Sequence, residues 1–241
     1  MSAGDARLTE AIDAYLHASI LLERIIPGCV VETIDGAQHI HYGRPKLGVE
    51  HEVVVRDSGL AAGAAVIAHH QEFTPAYVSI FTPHGEVAPD GSALNLTHVV
   101  RNTLMVFQLP DVAPFGDPSL RRLTDPAELH RLTLIRGDDV LAVEHFTDET
   151  ACYALEIEDE PVSSALMIPA PHGTAVIEHV LTLASYRRRG YGRWLLRALH
   201  GEAARMGMRQ TVLGSNTAGL PLYTALGYEP LCYQDVYVFG R

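Results

Sequence analysis

The sequence has few of the features that mark a secreted or metal-binding protein. Only 3 cysteines occur among 241 residues, and their odd number and wide spacing favour reduced thiols over a disulfide framework. Cysteine and histidine residues do not cluster at the spacing of a zinc site. The close pairs His39/His41 and His69/His70 are interpreted as surface histidines, so we expect no bound metal.

Long apolar runs are also missing, although hydrophobic residues make up 47% of the chain. A membrane-spanning helix needs about 20 consecutive apolar residues, so no membrane partner is expected. Residues 1–5 lack the basic-then-apolar pattern of a signal peptide, which favours a cytoplasmic location. The chain is long enough for one large domain or two small ones.

A broad basic surface is the third absence, because the formal net charge is −11. Residues 1–117 contribute −8 of that charge and residues 118–241 contribute −3. Proteins that bind nucleic-acid phosphates usually show a wide basic footprint, so we expect no nucleic-acid partner. The acidic first half is compatible with a cationic ligand, but it also serves solubility.

The basic residues that remain include a compact, glycine-punctuated turn. Residues 174–183 are β-branched and apolar, as in a buried strand, and apolar residues recur at helical spacing from Leu195 to Met206. The turn between them would begin that helix, whose free N–H groups and dipole favour an anion. Glycines allow close approach to the backbone, and arginines supply forked donors for phosphate. The turn consists of Arg187, Arg188, Arg189, Gly190, Tyr191, Gly192 and Arg193.

We interpret this turn as a cradle for a pyrophosphate, with an ordinary solvated turn as the alternative. A dinucleotide fingerprint would need glycine at position 195, which is Leu195, and no Walker A sequence follows. A second segment completes the pattern. Residues 208–213 predict a strand, Asn216 is a good N-cap for a short helix that carries Tyr223, and residues 236–239 predict a final strand.

Residues 174–241 resemble the C-terminal half of the GNAT superfamily of acetyl-CoA-dependent N-acyltransferases. The family's Arg/Gln-x-x-Gly-x-Gly/Ala motif is matched by Arg187, Gly190 and Gly192. The family's later Asn, Leu-Tyr and Leu-Gly-aromatic positions are matched by Asn216, Leu222, Tyr223, Leu226, Gly227 and Tyr228. Departures from the family pattern remove no chemical group that the reaction needs; they are Ala184, Arg188 and Gly219.

The resemblance implies a mixed, mostly antiparallel central sheet with flanking helices and acetyl-CoA as co-substrate. In this family the pantetheine arm lies between two splayed parallel strands, here residues 176–183 and 209–213. Backbone groups of Val180, Leu181 and Thr182 would then bind the pantetheine amides, and one N–H group would polarise the thioester carbonyl. Asn216 would orient the pantetheine or a water molecule, or only cap its helix.

The resemblance places Tyr223 where it would protonate the departing thiolate, the alternative being a core tyrosine. An alkyl ammonium has a pKa of about 10, so a base would assist the amine. Glu178 is our candidate base because it is a lone carboxylate in an apolar strand, and His179 is the competitor. Strand alternation predicts that the two point to opposite faces, with Glu178 beside Val176 and Val180.

We expect two domains: a smaller N-terminal α/β domain at residues 1–115 and a GNAT-like catalytic domain at 116–241. Proline-rich residues 109–118 form the predicted linker. The first domain is interpreted either as a degenerate GNAT-like repeat or as a substrate-binding domain. No cofactor turn is recognised in residues 1–117, so a repeat there is expected to have lost coenzyme A binding.

The pattern also predicts individual elements on both sides of the linker. In the N-terminal half we expect a helix at residues 93–102 and a strand at 103–109. In the second half Pro126 would begin a helix, and strands would follow at 139–147, 150–157 and 162–168.

The expected activity is transfer of an acetyl group from acetyl-CoA to a primary amine by direct attack. The amine would belong to a small molecule or a peptide. A protein that binds or senses acyl-CoA without chemistry is the alternative, and the expected Tyr223 and Glu178 argue against it. Homodimers are common in proteins of this kind, so a second copy is a further expected partner.

Overall fold

The computed structural model describes residues 3–57, 59–110, 117–137 and 149–240. Within these ranges the helices are α1 (Ala3–Arg24), α2 (Leu60–His69), α3 (Pro126–Arg136), α4 (Tyr191–Arg205) and α5 (Leu220–Leu226). The strands are β1 (Val30–Ile34), β2 (Ala37–Lys46), β3 (Val49–Val54), β4 (Ala76–Pro83), β5 (Leu96–Gln108), β6 (Leu120–Leu123), β7 (Ala151–Ile157), β8 (Glu160–Ala170), β9 (Thr174–Thr182), β10 (Gln210–Ser215) and β11 (Glu229–Phe239). The strand predicted at 139–147 lies outside the described residues.

Across these ranges, none of the helices combines the length and apolar character that crossing a bilayer requires.

The chain divides into two compact units, and neither is one continuous segment. Unit 1 contains Met1–Ala18, Val106–Leu213 and Pro221–Glu229. Unit 2 contains Ser19–Met105, Gly214–Leu220 and Pro230–Arg241. The predicted boundary between residues 115 and 116 stays a prediction, because residues 111–116 lie outside the described ranges.

Unit 1 is built on a mixed sheet in the order β10–β9–β8–β7–β6. Strands β6 to β9 pair antiparallel to one another, whereas β9 and β10 run parallel. The strands of this sheet are largely buried, which explains why residues 174–183 read as a nearly continuous apolar run.

Helices cover both faces of that sheet. Ser163 and Ser164 are neighbours on β8 and therefore point to opposite faces. Ser163 contacts Thr182, against which Gly192 of α4 packs, whereas Ser164 accepts a hydrogen bond from Arg136 at the end of α3. Helices α3 and α4 thus lie on opposite faces of the unit 1 sheet.

The start of α3 follows the predicted helix-capping pattern. The side chain of Asp125 accepts a hydrogen bond from the N–H of Ala127 at 2.8 Å, and Pro126 occupies the first turn, where its missing N–H costs little. Gly137 ends the helix in the left-handed conformation, with a φ of 68°.

Unit 2 also combines a mixed sheet with a flanking helix. Its strands follow the order β1–β2–β3–β4–β11–β5; β3 and β4 are parallel, and the β1–β2, β2–β3 and β4–β11 pairs are antiparallel. Helix α2 packs on this sheet through Leu60, Ala64 and Ile67. The predicted α/β class, with a mostly antiparallel sheet and flanking helices, is therefore confirmed.

The prediction of a helix at residues 93–102 is wrong. A short 3-10 turn at Ser92–Leu94 ends at Asn95, whose φ of 56° turns the chain, and β5 then runs from Leu96 to Gln108. Val99 and Val100 favour this outcome, because β-branched side chains lose rotamer freedom in a helix and fit a pleated strand.

A buried polar contact lies under α4. The Nε2 atom of His200 is 2.9 Å from the hydroxyl of Tyr228, which is also 2.9 Å from the Oγ1 atom of Thr211. The ring of Phe107 stacks on the imidazole with a centroid distance of 4.1 Å. Burial, assisted by the charge of Arg197, lowers the pKa of His200 to about 4, so the imidazole is neutral at pH 7.

We expect this histidine to make the fold acid-sensitive. Between its ordinary pKa of 6.5 and about 4, the unfolded chain binds a proton that the folded chain excludes. The free energy of unfolding therefore decreases as the pH is lowered from 6.5 to about 4, by about 3 kcal/mol in total for this group. Urea unfolding of the wild type and of His200→Gln at either end of the window measures it.

Glutamine keeps a hydrogen-bonding group near Tyr228 but carries no proton equilibrium. The variant should be less stable than the wild type near neutral pH and should lose less of its stability on acidification. Equal acid-induced losses in the two proteins would contradict the assignment.

Candidate active site

Strand β9 changes register next to Glu178. Leu166 pairs with Glu178 and Ser164 pairs with Leu181, so β9 carries one more residue than β8 over this stretch. The extra residue forms a β-bulge in which His179 adopts a φ of 54°. Because paired residues share a face, Glu178 lies on the same face as Leu181. The alternation expected from the sequence, with Val180 beside Glu178, is wrong.

Arg136 supports the bulge from α3. Its Nη1 atom donates to the backbone oxygen of His179 at 3.1 Å and to the Oγ atom of Ser164 at 2.8 Å. A carbonyl turned away from the regular ladder by a bulge needs another donor, and the guanidinium supplies it. Nothing in the sequence pattern singled out Arg136, because it reads only as the last basic residue of a helix.

The two parallel strands separate beside this bulge. Paired positions end at Val176 and Val212, whereas β9 continues to Thr182. Among the described residues, the later part of β9 therefore has no ladder partner on β10. This is the splayed arrangement expected for residues 176–183 and 209–213.

The predicted pantetheine-binding residues lie in this unpaired part of β9. Val180, Leu181 and Thr182 are all half-buried. The carbonyl of Leu181 accepts a hydrogen bond from the Oγ atom of Ser163 at 2.8 Å, and that of Thr182 accepts one from the Nε atom of Arg187 at 3.0 Å. These contacts hold the strand end in place while it faces the gap between the strands.

The basic turn leads from β9 into α4 as predicted. A 3-10 turn at Ala184–Tyr186 precedes it, and α4 begins at Tyr191 with Gly190 as N-cap. Gly190 has a φ of 89°, a conformation that side-chain-bearing residues rarely adopt, and a Cβ atom there would meet nothing within 4 Å. The backbone at Gly190 is therefore open to an incoming group.

Gly192 has a different role from Gly190. A Cβ atom at Gly192 would lie 3.2 Å from the Oγ1 atom of Thr182 and 3.5 Å from the Cδ2 atom of Leu222. This glycine lets the first turn of α4 pack tightly against β9 and α5. It thereby holds the helix N-terminus beside the strand end.

Positive charge surrounds that helix N-terminus. The four arginines of the turn are exposed, and one of them, Arg189, lies with its guanidinium 5.7 Å from the ring centre of Tyr186. Tyr191, half-buried at the start of α4, packs edge-on against Tyr186 with a centroid distance of 5.9 Å. Exposed guanidiniums around free helix N–H groups make a surface suited to phosphate. The arginines are Arg187, Arg188, Arg189 and Arg193.

Tyr223 and Glu178, the two predicted catalytic residues, both belong to unit 1. Tyr223 is buried, with 8% of its surface exposed. Burial, and secondarily the negative charge of Glu178, raise the pKa of Tyr223 to about 12. The hydroxyl therefore stays protonated at neutral pH, and it lies within electrostatic range of the half-buried carboxylate.

Asn216 caps the turn that precedes α5. Its Oδ1 atom accepts a hydrogen bond from the N–H of Gly219 at 3.0 Å, and its backbone oxygen accepts one from Leu220 at 3.2 Å. The predicted capping role is present. A role toward a ligand stays a prediction.

Residues 119–228 match the sequence profile of the Acetyltransferase (GNAT) family. No curated protein matches the sequence of this chain.

Solved structures of similar fold agree with this match. A GCN5-related N-acetyltransferase from Kribbella flavida superimposes with a TM-score of 0.67 at 18% identity, covering 95% of this chain and 96% of its own. A putative acetyltransferase of the GNAT family from Novosphingobium aromaticivorans gives 0.52 at 20% identity, covering 74% and 80%. A tandem GNAT protein from the clavulanic acid biosynthesis pathway gives 0.55 at 12% identity, covering 95% and 92%. The sequence profile thus identifies residues 119–228 of this chain as a GNAT acetyltransferase domain.

Proposed function

We propose that this protein is an N-acetyltransferase that transfers an acetyl group from acetyl-CoA to a primary amine of a small molecule or peptide. The observation that carries the proposal is the burial of Tyr223 in the unit that also holds the open end of β9, with its pKa raised in part by the charge of Glu178. A protein that only senses acyl-CoA would need the cradle but not a buried tyrosine that responds to a carboxylate.

The proposed pyrophosphate site is the N-terminus of α4. The open backbone at Gly190, the N–H groups of the first helical turn and the surrounding arginines supply donors and positive charge for a diphosphate. The pantetheine arm would then extend along Val180, Leu181 and Thr182, where β9 no longer pairs with β10. A backbone N–H group in this stretch would polarise the thioester carbonyl.

In the proposed reaction the amine attacks the thioester carbon without a covalent enzyme intermediate. The new C–N bond forms as the C–S bond breaks, the amine loses a proton, and the thiolate gains one. Tyr223 is the proposed proton donor to the sulfur, since its raised pKa keeps the hydroxyl protonated at neutral pH. The charge of Glu178 reaches the Tyr223 hydroxyl, and Glu178 would act in the same step.

Glu178 is the proposed base for the amine, and His179 is the competing candidate. The bulge places both at one point of β9, and Arg136 holds the carbonyl of His179. Glu178 lies on the face that includes Leu181 and influences the Tyr223 hydroxyl, whereas the backbone of His179 is committed to the left-handed bulge. These contacts favour Glu178.

For the N-terminal half we propose a degenerate GNAT-like repeat. Unit 2 repeats the order of parallel strand, turn, helix and parallel strand through β3, α2 and β4. The turn contains Arg56, Gly59 and Ala61 at the spacing of the family motif, a match that the sequence reasoning overlooked. The similarity in fold to a tandem GNAT protein over most of both chains supports this proposal.

The carboxylate of Asp57 explains why this second turn would not hold a phosphate. Its Oδ1 atom accepts the N–H of Gly59 at 2.8 Å, so a negative side chain occupies the donor that an anion would need. Unit 1 has Arg188 at the corresponding step of its motif. We therefore assign coenzyme A binding to residues 116–241 and propose 1–115 as the degenerate partner.

The cradle is tested by binding acetyl-CoA to the wild type and to the Gly190→Asp/Gly192→Asp double variant in a calorimeter. The wild type should bind saturably. The double variant should bind about 10-fold more weakly or worse, because the loss of about 1.4 kcal/mol is enough for that factor.

The matched control is Gly190→Asn/Gly192→Asn. Asparagine has nearly the shape of aspartate and carries the same backbone strain at Gly190, so any difference between the two variants reports charge alone. Absence of binding by the wild type, or equal binding by the wild type and the aspartate variant, would overturn the cradle.

The acid is tested with Tyr223→Phe. Loss of the hydroxyl should lower kcat by about 100-fold or more, the usual contribution of general acid catalysis, while the dissociation constant for acetyl-CoA stays near that of the wild type. Tyr228→Phe is the matched control, since its ring lies 5.8 Å from that of Tyr223. That control should lose stability, through its contacts to His200 and Thr211, but keep its turnover. Full turnover by Tyr223→Phe would contradict the assignment of Tyr223 as the acid but would leave the proposed pyrophosphate site unaffected.

The base is tested through the pH dependence of kcat/KM in Glu178→Gln and His179→Gln. Without its base the reaction depends on the free amine alone, so the rate should climb roughly tenfold per pH unit toward the amine pKa of about 10. The wild type should reach its plateau at lower pH. We expect the steep profile from Glu178→Gln and a profile like the wild type from His179→Gln; the reverse result would assign the base to His179.

A further inference from the structure

A cluster of histidines lies on one face of the unit 2 sheet. His41 of β2 pairs directly with His51 of β3, so both side chains point to the same face, and their ring centroids are 4.8 Å apart. His39, two residues before His41, shares that face. Only 3% of His39 is exposed, so its interpretation as a surface histidine is wrong. Phe73 stacks against His39 at 3.9 Å and against His51 at 4.9 Å, which fixes the imidazoles in position.

Glu50 joins this cluster because the hairpin loses its register beside it. Pairing between β2 and β3 is regular up to His41 and His51 and resumes at Lys46 and Val49. Glu50 lies at this irregularity. One ring nitrogen of His41, one of His51 and a carboxylate oxygen of Glu50 lie within 4.8 Å of one another.

These distances are close to those of a metal site. Bonds of about 2.1 Å from Zn²⁺ to nitrogen and oxygen ligands, at tetrahedral angles, separate the ligand atoms by about 3.4 Å. Each pair of atoms, at most 4.8 Å apart, thus needs to approach by about 1.4 Å at most. Glu50 is exposed, so its side chain can make that adjustment by rotation.

Hydrogen bonds behind the cluster orient His51 as a ligand. Glu32 of β1 pairs with His39, and its carboxylate lies 3.1 Å from the Nδ1 atom of His39. The Nε2 atom of His39 lies 3.0 Å from the Nδ1 atom of His51. A carboxylate only accepts, so Nδ1 of His39 carries the proton and its Nε2 accepts from Nδ1 of His51. The tautomer that remains leaves Nε2 of His51 with a free lone pair.

We propose that His41, Glu50 and His51 form a binding site for Zn²⁺, with His39 and Glu32 as positioning residues behind His51. Two imidazoles and a carboxylate are a zinc ligand set that leaves one position for water. Imidazole nitrogen disfavours Mg²⁺ and Ca²⁺, which take oxygen ligands. The chain Glu32–His39–His51 is the hydrogen-bonded support that metal-binding histidines usually have.

The test is calorimetric titration of Zn²⁺ into the full-length chain, prepared without a histidine tag and stripped of metal with a chelator. The wild type should bind one Zn²⁺ and should show no comparable binding of Mg²⁺. Bound Zn²⁺ should also raise the melting temperature, since it binds only the folded state. A histidine stack with no ligand function would give neither result, and that outcome would overturn the proposal.

Variants locate the ion. His41→Asn and Glu50→Gln should each weaken binding strongly, and Glu50→Gln changes only an exposed charge, so its fold is secure. Glu32→Gln should weaken binding by about 10- to 100-fold, the usual effect of losing such a support. The matched controls are His130→Asn and Glu86→Gln, an exposed histidine and an exposed glutamate remote in sequence from the cluster.

Each pattern of results has a defined meaning. Weak binding by His41→Asn and Glu50→Gln, with controls like the wild type, supports the site. Binding by these two variants equal to that of the wild type would place the ion elsewhere and overturn the ligand set. An unchanged Glu32→Gln variant would overturn the positioning role of Glu32 and His39.

Discussion

The register break in β9 is the constraint on which the candidate active site depends. One additional residue, set against β8, forces His179 into a left-handed conformation and turns its carbonyl out of the ladder. Arg136 then supplies the donor that this carbonyl needs, while Glu178 and Leu181 come to share a face. Pairing with β10 has already ended by this point, so the backbone groups of the later part of β9 are open on that side.

Packing on the other face of the sheet fixes the turn that follows. Gly192 allows α4 to approach Thr182 and Leu222 closely, and Gly190 keeps the chain reversal open above the helix N-terminus. The two glycines of one motif thus have different roles: Gly192 permits close packing, and Gly190 leaves the backbone exposed. The arginines around them are all exposed, and the proposed phosphate site would depend on helix N–H groups and on that charge.

The two units show how one local pattern can be kept or cancelled. Both have a parallel strand pair joined through a glycine turn and a helix. In unit 1 the turn carries arginines, whereas in unit 2 the carboxylate of Asp57 satisfies the N–H of Gly59. A single acidic side chain at such a turn occupies a donor and repels an anion, which is the physical difference on which the proposed loss of coenzyme A binding in unit 2 rests. The same unit instead gathers histidines across β2 and β3.

The sequence by itself determined the elements whose signals are local: the apolar strand at 174–183, the helix after Gly190, the capped start of α3 and the motif of the GNAT domain. It misjudged residues 93–102, because sheet pairing rather than local pattern decides the state of a mixed segment. Only the tertiary structure decided the bulge at His179, the support from Arg136, the burial of Tyr223 and the contact between His41 and His51. The spacing of residues along the chain does not specify the register of paired strands, and it does not specify that the end of α3 contacts the bulge in β9. Both features arise only when distant segments pack together.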